Sequence, residues 1–149
     1  MTVDVETETE IEIARPRTQV AAYGCDPGNA TTWYENIKSV EWETAPPAVV
    51  GSRIAFVAHF LGRRIAYTYE VRAMTPGEHF VMSTAQGPFP METTYTWQDT
   101  AGGGTRMTLR NRGVPAGFAR VGAPMMAAAM RRANRKDLLK LEQILEAPQ

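Results

Sequence analysis

Three tyrosines and three amide or carboxyl side chains are the groups of this chain best placed to handle a polar atom inside an apolar interior. Tyr67 and Tyr69 alternate in one strand-like run and Tyr95 in another, on the face that also carries Phe56, Phe60 and Trp97. A phenol buried without a partner costs roughly 1–3 kcal/mol. Three inward hydroxyls therefore need one another, the sheet edge, ordered water or a ligand. In such a setting a phenol can hold a carbonyl or phenol oxygen, or act as general acid in a cyclisation or dehydration. At about 100° per residue along the last segment, Asn134 falls between Met130 and Leu138, and Asp137 falls between Met126 and Met130. Both interrupt an apolar stripe, and alternation puts Asn111 on the inner face of the last strand. Buried polar groups must be paired. Asp137 is expected to bond backbone or an arginine such as Arg110. Asn111 and Asn134 either pack structurally or orient a ligand oxygen.

Other chemistries find less support. His59 falls on an outer strand face and His79 beside a turn, and neither has a serine or cysteine nearby in sequence to build a triad. The lone cysteine, Cys25, can form no intramolecular disulfide and lies next to Asp26, whose charge disfavours a thiolate. With only two histidines beside it, a zinc-type metal site is not expected. Gly102-Gly103-Gly104-Thr105 lacks the lysine of a phosphate loop and joins two strands rather than opening a helix. No metal, no cofactor and no catalytic residue is assigned.

The elements that must position these side chains run in a clear order. Glu8–Ala14 alternates charged with branched residues as a first strand. Thr18–Gly24 and Ala30–Ile37 read as two short helices, the second with Asn29 as N-cap after the Asp26-Pro27-Gly28 turn. Val40–Thr44 is a short strand broken by Pro46-Pro47. Then Ile54, Phe56, Ala58 and Phe60 share a face, as do Ile65, Tyr67, Tyr69 and Val71 beyond a turn at Gly62-Arg63. Phe80, Met82 and Thr84, then Thr93, Tyr95 and Trp97, then Thr105, Met107, Leu109 and Asn111 continue the alternation. Hairpin-length spacing makes these neighbours antiparallel. From about Gly117 to Glu146 the period turns helical. A stripe of Met126, Met130, Ala133, Leu138, Leu141, Ile144 and Leu145 is wide enough to cover a sheet. Pro124 near its start implies a first-turn proline or a kink.

The chain has 149 residues, 44% hydrophobic and 21% charged, which suits one domain. Its 16 basic and 16 acidic residues balance, so no net field points to nucleic acid. The charges are nevertheless segregated. Asp4, Glu6, Glu8, Glu10 and Glu12 precede any base, whereas Arg131, Arg132, Arg135, Lys136 and Lys140 crowd the last helix. With Leu139 among them, that face is solvated or touches a membrane surface or an acidic carrier protein. The acidic start does not resemble a secretory signal, and Val121–Met130 is too short an uncharged stretch to span a bilayer. The expectation is a cytoplasmic monomer or homodimer.

Strand, two short helices, six strands and a long helix is the helix-grip order. The sequence resembles the START-like, or Bet v 1-like, superfamily, and within it the bacterial polyketide cyclase/dehydrase-like branch. The resemblance rests on Trp33 with Ile37, Gly51, Phe60-Leu61-Gly62-Arg63, Tyr69-Glu70-Val71, Gly104-Thr105-Arg106, and Asp137-Leu138 with Leu141. It spans about residues 8–146. It implies an α+β domain in which a curved antiparallel sheet of about seven strands wraps a long C-terminal helix around a deep apolar cavity, behind a short disordered acidic tail. The matched motifs are turns and packing positions, so no catalytic role is carried over with them.

The expected cavity takes Phe56, Phe60, Tyr67, Tyr69, Met82, Tyr95 and Trp97 from the sheet. Asn111 joins them from the last strand, and Met126, Met130 and Asn134 come from the helix. Met125, Met126 and Met130 form either plain core or a deformable mouth. The reading is binding of a small hydrophobic or aromatic molecule, as a carrier or sensor. The alternatives are a polyketide cyclase/dehydratase-like enzyme acting on a poly-keto or aromatic substrate, and an interaction module with a collapsed interior.

Overall fold

A computed structural model describes residues 5–114 and 122–148. Seven antiparallel strands form one sheet in the order β1-β7-β6-β5-β4-β3-β2. In chain order these are β1 (Val5–Ile13), α1 (Arg17–Gly24), a 3-10 turn at Pro27–Asn29, α2 (Ala30–Trp33), β2 (Ile37–Trp42), β3 (Arg53–Phe60) and β4 (Arg63–Thr75), followed by β5 (His79–Gln86), β6 (Met91–Asp99), β7 (Thr105–Gly113) and α3 (Ala123–Glu146). Only β1 departs from sequential hairpin order. It crosses the sheet to pair with β7, Val5 opposite Gly113 and Ile13 opposite Thr105. The helix-grip architecture expected from the sequence is the one observed.

Register shifts let the sheet curl, one between β2 and β3 at Ile37/Ser39 and two between β4 and β5. Between β4 and β5, Tyr69 opposes Thr84 while Thr68 opposes Gln86, and Val71 opposes Met82 while Ala73 opposes Val81. Each shift leaves one residue unmatched, which bends a strand and increases its twist. The concave face so formed carries the alternating apolar residues, and α3 lies across it. Leu138, Leu141 and Leu145 are at most 6% exposed and pack with Ile13, Trp33, Ile54, Val71, Phe80 and Leu109 in the main core. A smaller cluster of Val5, Ile65, Phe89 and Met126 gathers around the start of the helix.

Several boundaries differ from the sequence reading. β1 starts at Val5, so residues 5–7, expected in a disordered tail, are paired with 111–113. α2 ends at Trp33 instead of Ile37, and β2 covers Ile37–Trp42 instead of Val40–Thr44. The reason is tertiary: the Glu35 N–H donates to Asp137 Oδ1 at 3.0 Å rather than to a helical carbonyl. Asn29 does not cap α2; its Nδ2 donates to the Tyr23 carbonyl at 3.2 Å, and Asp26 caps the 3-10 turn by accepting from Gly28 N–H at 2.9 Å. Pro124 sits in the first turn of α3, the position that tolerates it. The expectation of helix from about Gly117 falls partly on residues 115–121, outside the described residues.

The β3–β4 hairpin closes over Leu61 and Gly62, one residue earlier than expected, with φ of 50° and 78°. Two positive φ values define the turn whose twist matches paired strands, and it favours Asn-Gly. A leucine there is strained by roughly 1–2 kcal/mol. Leu61 is 47% exposed, so its side chain contributes little packing in return. Leu61→Asn is expected to raise the unfolding free energy by about 0.5–1 kcal/mol, measured by urea denaturation. A loss of stability would show that Leu61 is held by contacts worth more than the strain.

Candidate functional site

Between the sheet and α3 lies a cavity of about 180 Å³. Its walls come from both clusters: Phe56, Tyr69, Phe80, Met82 and Tyr95 from the main core, and Ile65, Phe89 and Met126 from the smaller one. Of the residues expected to line it, Phe56, Phe60, Tyr67, Tyr69, Met82, Tyr95, Asn111, Met126, Met130 and Asn134 all do. Trp97 does not. It is 3% exposed, and its ring packs beside Gly24 and Met107, where a Cβ on Gly24 would meet the indole at 3.4 Å. The end of β6 runs under α1, so the inner face there is core and not cavity. Met125 is 70% exposed and also stands off the wall.

The polar groups of the cavity fall into two systems. The first runs from sheet to helix. Thr93 Oγ1 donates to Asn111 Oδ1 at 2.7 Å, and Asn111 Nδ2 donates to Asn134 Oδ1 at 3.1 Å. Asn134 Nδ2 then donates to Thr7 Oγ1 at 3.3 Å. Thr93 has one proton, already spent, so at 2.9 Å the Tyr69 hydroxyl is the donor and Thr93 the acceptor. The relay ties β4, β6, β7, α3 and β1 together and satisfies its members, while each amide keeps one N–H in reserve. Asn111 and Asn134 therefore both brace the fold and face the cavity.

The second system pairs the hydroxyl of Tyr34, on the segment after α2, with that of Tyr95. Whichever donates, the other retains a free O–H. The Tyr67 hydroxyl takes part in no hydrogen bond among the described residues, and its ring lies against Phe56 and Tyr69 at centroid distances of 5.4 and 4.9 Å. The indole N–H of Trp33, on the same wall, has no partner among the described residues either. The cavity is thus apolar in area but rich in unspent donors. Burial raises every one of these phenols: Tyr34, Tyr67 and Tyr95 well above their usual range, and Tyr69 to about 12 against the opposing bond from Thr93. All are neutral near pH 7, so they donate protons in hydrogen bonds and cannot serve as phenolate bases.

Asp137 is the exception to that neutrality. It is 2% exposed, and burial pushes its carboxyl up to about 7 against the Glu35 N–H bond and the charge of Lys136, with Glu35 adding to the rise. It lines the cavity, and its charge is felt by both Tyr34 and Tyr95. Its partner is backbone, one of the two expected options. Arg110 instead donates to Glu6 at 2.7 Å on the exposed side of the sheet. Cys25 also lines the cavity, with its thiol raised first by burial and then by Asp26. His59 is exposed, and no group of acids, histidines and cysteine suited to a metal occurs among the described residues.

Sequence reasoning missed Tyr34. Read as mid-helix, it points about 100° away from Trp33; with α2 ended, it turns inward. The only signal was the Trp33-Tyr34 pair directly ahead of a strand.

The polyketide cyclase / dehydrase and lipid transport family model matches residues 4–146. The chain belongs to that family. No curated protein sequence matches it significantly. Like other solved structures of this fold, a START superfamily protein from Mycobacterium smegmatis superposes with a TM-score of 0.79 at 14% identity, over 95% of this chain and 97% of that one. The aromatase/cyclase Zhui from Streptomyces sp. R1128 gives 0.76 at 17% identity, over 97% and 94%. Major latex-like protein 151 from Panax ginseng gives 0.74 at 13% identity, over 97% and 99%. At these identities the likeness concerns the fold. No described helix of this polyketide cyclase / dehydrase family member is long and apolar enough to cross a membrane.

Asp137 gives this family member a signed pH dependence. Its folded value, about 7, lies above the ordinary 3.8, so the folded state binds the extra proton between them. Stability from this group is full below about pH 4 and is lost as pH rises through about 7. Asp137→Asn should flatten that fall, gaining on the order of 2–4 kcal/mol relative to wild type at about pH 8 and little at about pH 4. Urea titrations at both pH values measure it; an equal effect at the two would mean that Asp137 titrates normally.

Proposed function

We propose that this chain binds a small aromatic molecule of one or two rings, bearing a carbonyl or phenol oxygen, and acts as a carrier or sensor. The observation that carries this reading is the cavity itself. At about 180 Å³ it is close to the roughly 150 Å³ of apolar cavities that take up benzene. A long folded poly-keto chain exceeds that space, and a collapsed interaction module would not leave it. Phe56, Phe80, Tyr67 and Met130 offer ring faces and soft thioether contact, while Tyr67 and the Tyr34–Tyr95 pair have O–H groups to spend on an oxygen.

Ala133 stands on the helical wall of the cavity, where a larger side chain would fill the space. With 1-indanone as probe, Ala133→Phe should weaken binding by roughly tenfold or more, read by tryptophan fluorescence or calorimetry. Undiminished affinity in that variant would place the binding site elsewhere.

A second reading, catalysis, is favoured by Asp137. A carboxyl poised near neutrality beside two phenols can take a proton from the carbon next to a ligand carbonyl while a phenol holds the oxygen. The enolate forms, hydrogen-bonded to the phenol; the carboxylic acid exchanges its proton with solvent and a solvent-derived proton returns to the carbon. In deuterium oxide near neutrality, an enzyme of this kind would exchange the enolisable hydrogens of bound 1-indanone, and Asp137→Asn would abolish the exchange. Binding without exchange above the solvent rate assigns the protein to the carrier class.

A further inference from the structure

Trp33, Tyr34, Ile37 and Asp137 form a wall with two sides. Inside is the cavity; outside, between the segment after α2 and the face of α3, runs a groove of about 640 Å³ bordered by the same four residues. The rim of this groove carries three lysines against the carboxyls of Glu35 and Asp137. Lys38, Lys136 and Lys140 line it, with Leu139, 43% exposed, between the last two. Lys38 Nζ is held by the Glu35 carbonyl at 2.9 Å. Lys136 and Lys140 make no ion pair and no hydrogen bond among the described residues, although Glu6, Glu12 and Glu70 are engaged by arginines on the sheet. They stand four residues apart on one helix, neighbours of like charge that repel each other. An anion between them would relieve that repulsion.

We propose that the groove is the outer half of the ligand site and takes a carboxylate tail from a molecule whose aromatic ring fills the cavity. The inference rests on the cavity reading and extends it from a neutral ring to an amphipathic acid. Two features of the wall favour a ligand that crosses it, and a third must yield to it. Trp33 contributes a buried indole N–H with no partner among the described residues, a donor that an oxygen lodged in the wall would satisfy. The hydrogen bond from the Glu35 N–H to Asp137 closes the wall there, and a crossing ligand must displace it. Asp137 itself carries its proton below neutrality, so it meets an incoming carboxylate as a neutral hydrogen-bond donor. Leu139 offers apolar contact for the methylene stem, and the two lysines take the charge.

The test compares two probes that differ only in charge, 5-phenylpentanoate and 5-phenylpentanamide, by calorimetry at about pH 6, where the free carboxylate is ionised and Asp137 is largely protonated. Wild-type protein should bind the carboxylate roughly fivefold or more tighter than the amide, and added salt should narrow the gap. The double variant Lys136→Gln/Lys140→Gln, at two exposed positions, should bring the carboxylate down to the affinity of the amide. Equal affinity of the two probes for wild type, or a preference that survives the double variant, overturns the proposal while leaving the cavity reading intact. If neither probe binds while 1-indanone does, this inference fails and the cavity reading stands; if 1-indanone also fails to bind, both fall.

Discussion

A polar group placed inside an apolar half-barrel must find a partner there, because water cannot follow it. That constraint shapes the interior of this protein more than any single apolar contact. The relay from Tyr69 through Thr93, Asn111 and Asn134 to Thr7 draws on four strands and the long helix. Each hydroxyl has one proton to give, which fixes the direction of the chain and the position of α3 over the sheet. Where the helix is purely apolar, at Leu138, Leu141 and Leu145, it closes onto the core. Where it carries Asn134 and Asp137, side chains too short to fill the concave sheet hold it off, and a cavity remains. Container and scaffold are the same set of bonds.

The polar groups outside the relay are the ones left for function. Tyr67, the Tyr34–Tyr95 pair and Trp33 retain donors, and burial keeps every phenol protonated. The site is therefore electrophilic in character, suited to an oxygen-bearing ligand. Burial brings the Asp137 carboxyl to a charge change near neutrality, and it stands where the cavity meets the outer groove. The same burial that makes it costly to ionise makes it useful as a proton carrier. A binding protein and an enzyme on this scaffold differ by whether a ligand brings an acidic carbon to that carboxyl.

Much of this was legible in the chain. Alternation over β3 to β7 identified the inward face, since successive side chains in a strand must point to opposite sides. The helical stripe located Asn134 and Asp137 on the inner side, because a period near 3.6 leaves no other face for them. The resemblance to the family rested on turns and packing positions in order, and the family model over residues 4–146 bears it out. The errors cluster where one element depends on another. Trp97 continues the inward alternation of Tyr95, yet α1 lies over that end of β6 and turns its place into core. α2 ends early because the Glu35 N–H has a better acceptor on α3 than in its own helix.

The sequence by itself determined the order of elements, the two faces of each strand and the residue types that could meet a ligand, because these depend on local period and on the cost of burying polar atoms. Only the tertiary structure decided which donors are spent and which are free. It also set how large a space remains, and that Tyr34 joins Tyr95 while Asp137 meets a backbone N–H from a segment 102 residues earlier. Those outcomes depend on distances between elements far apart in the chain, and local propensity does not encode such distances.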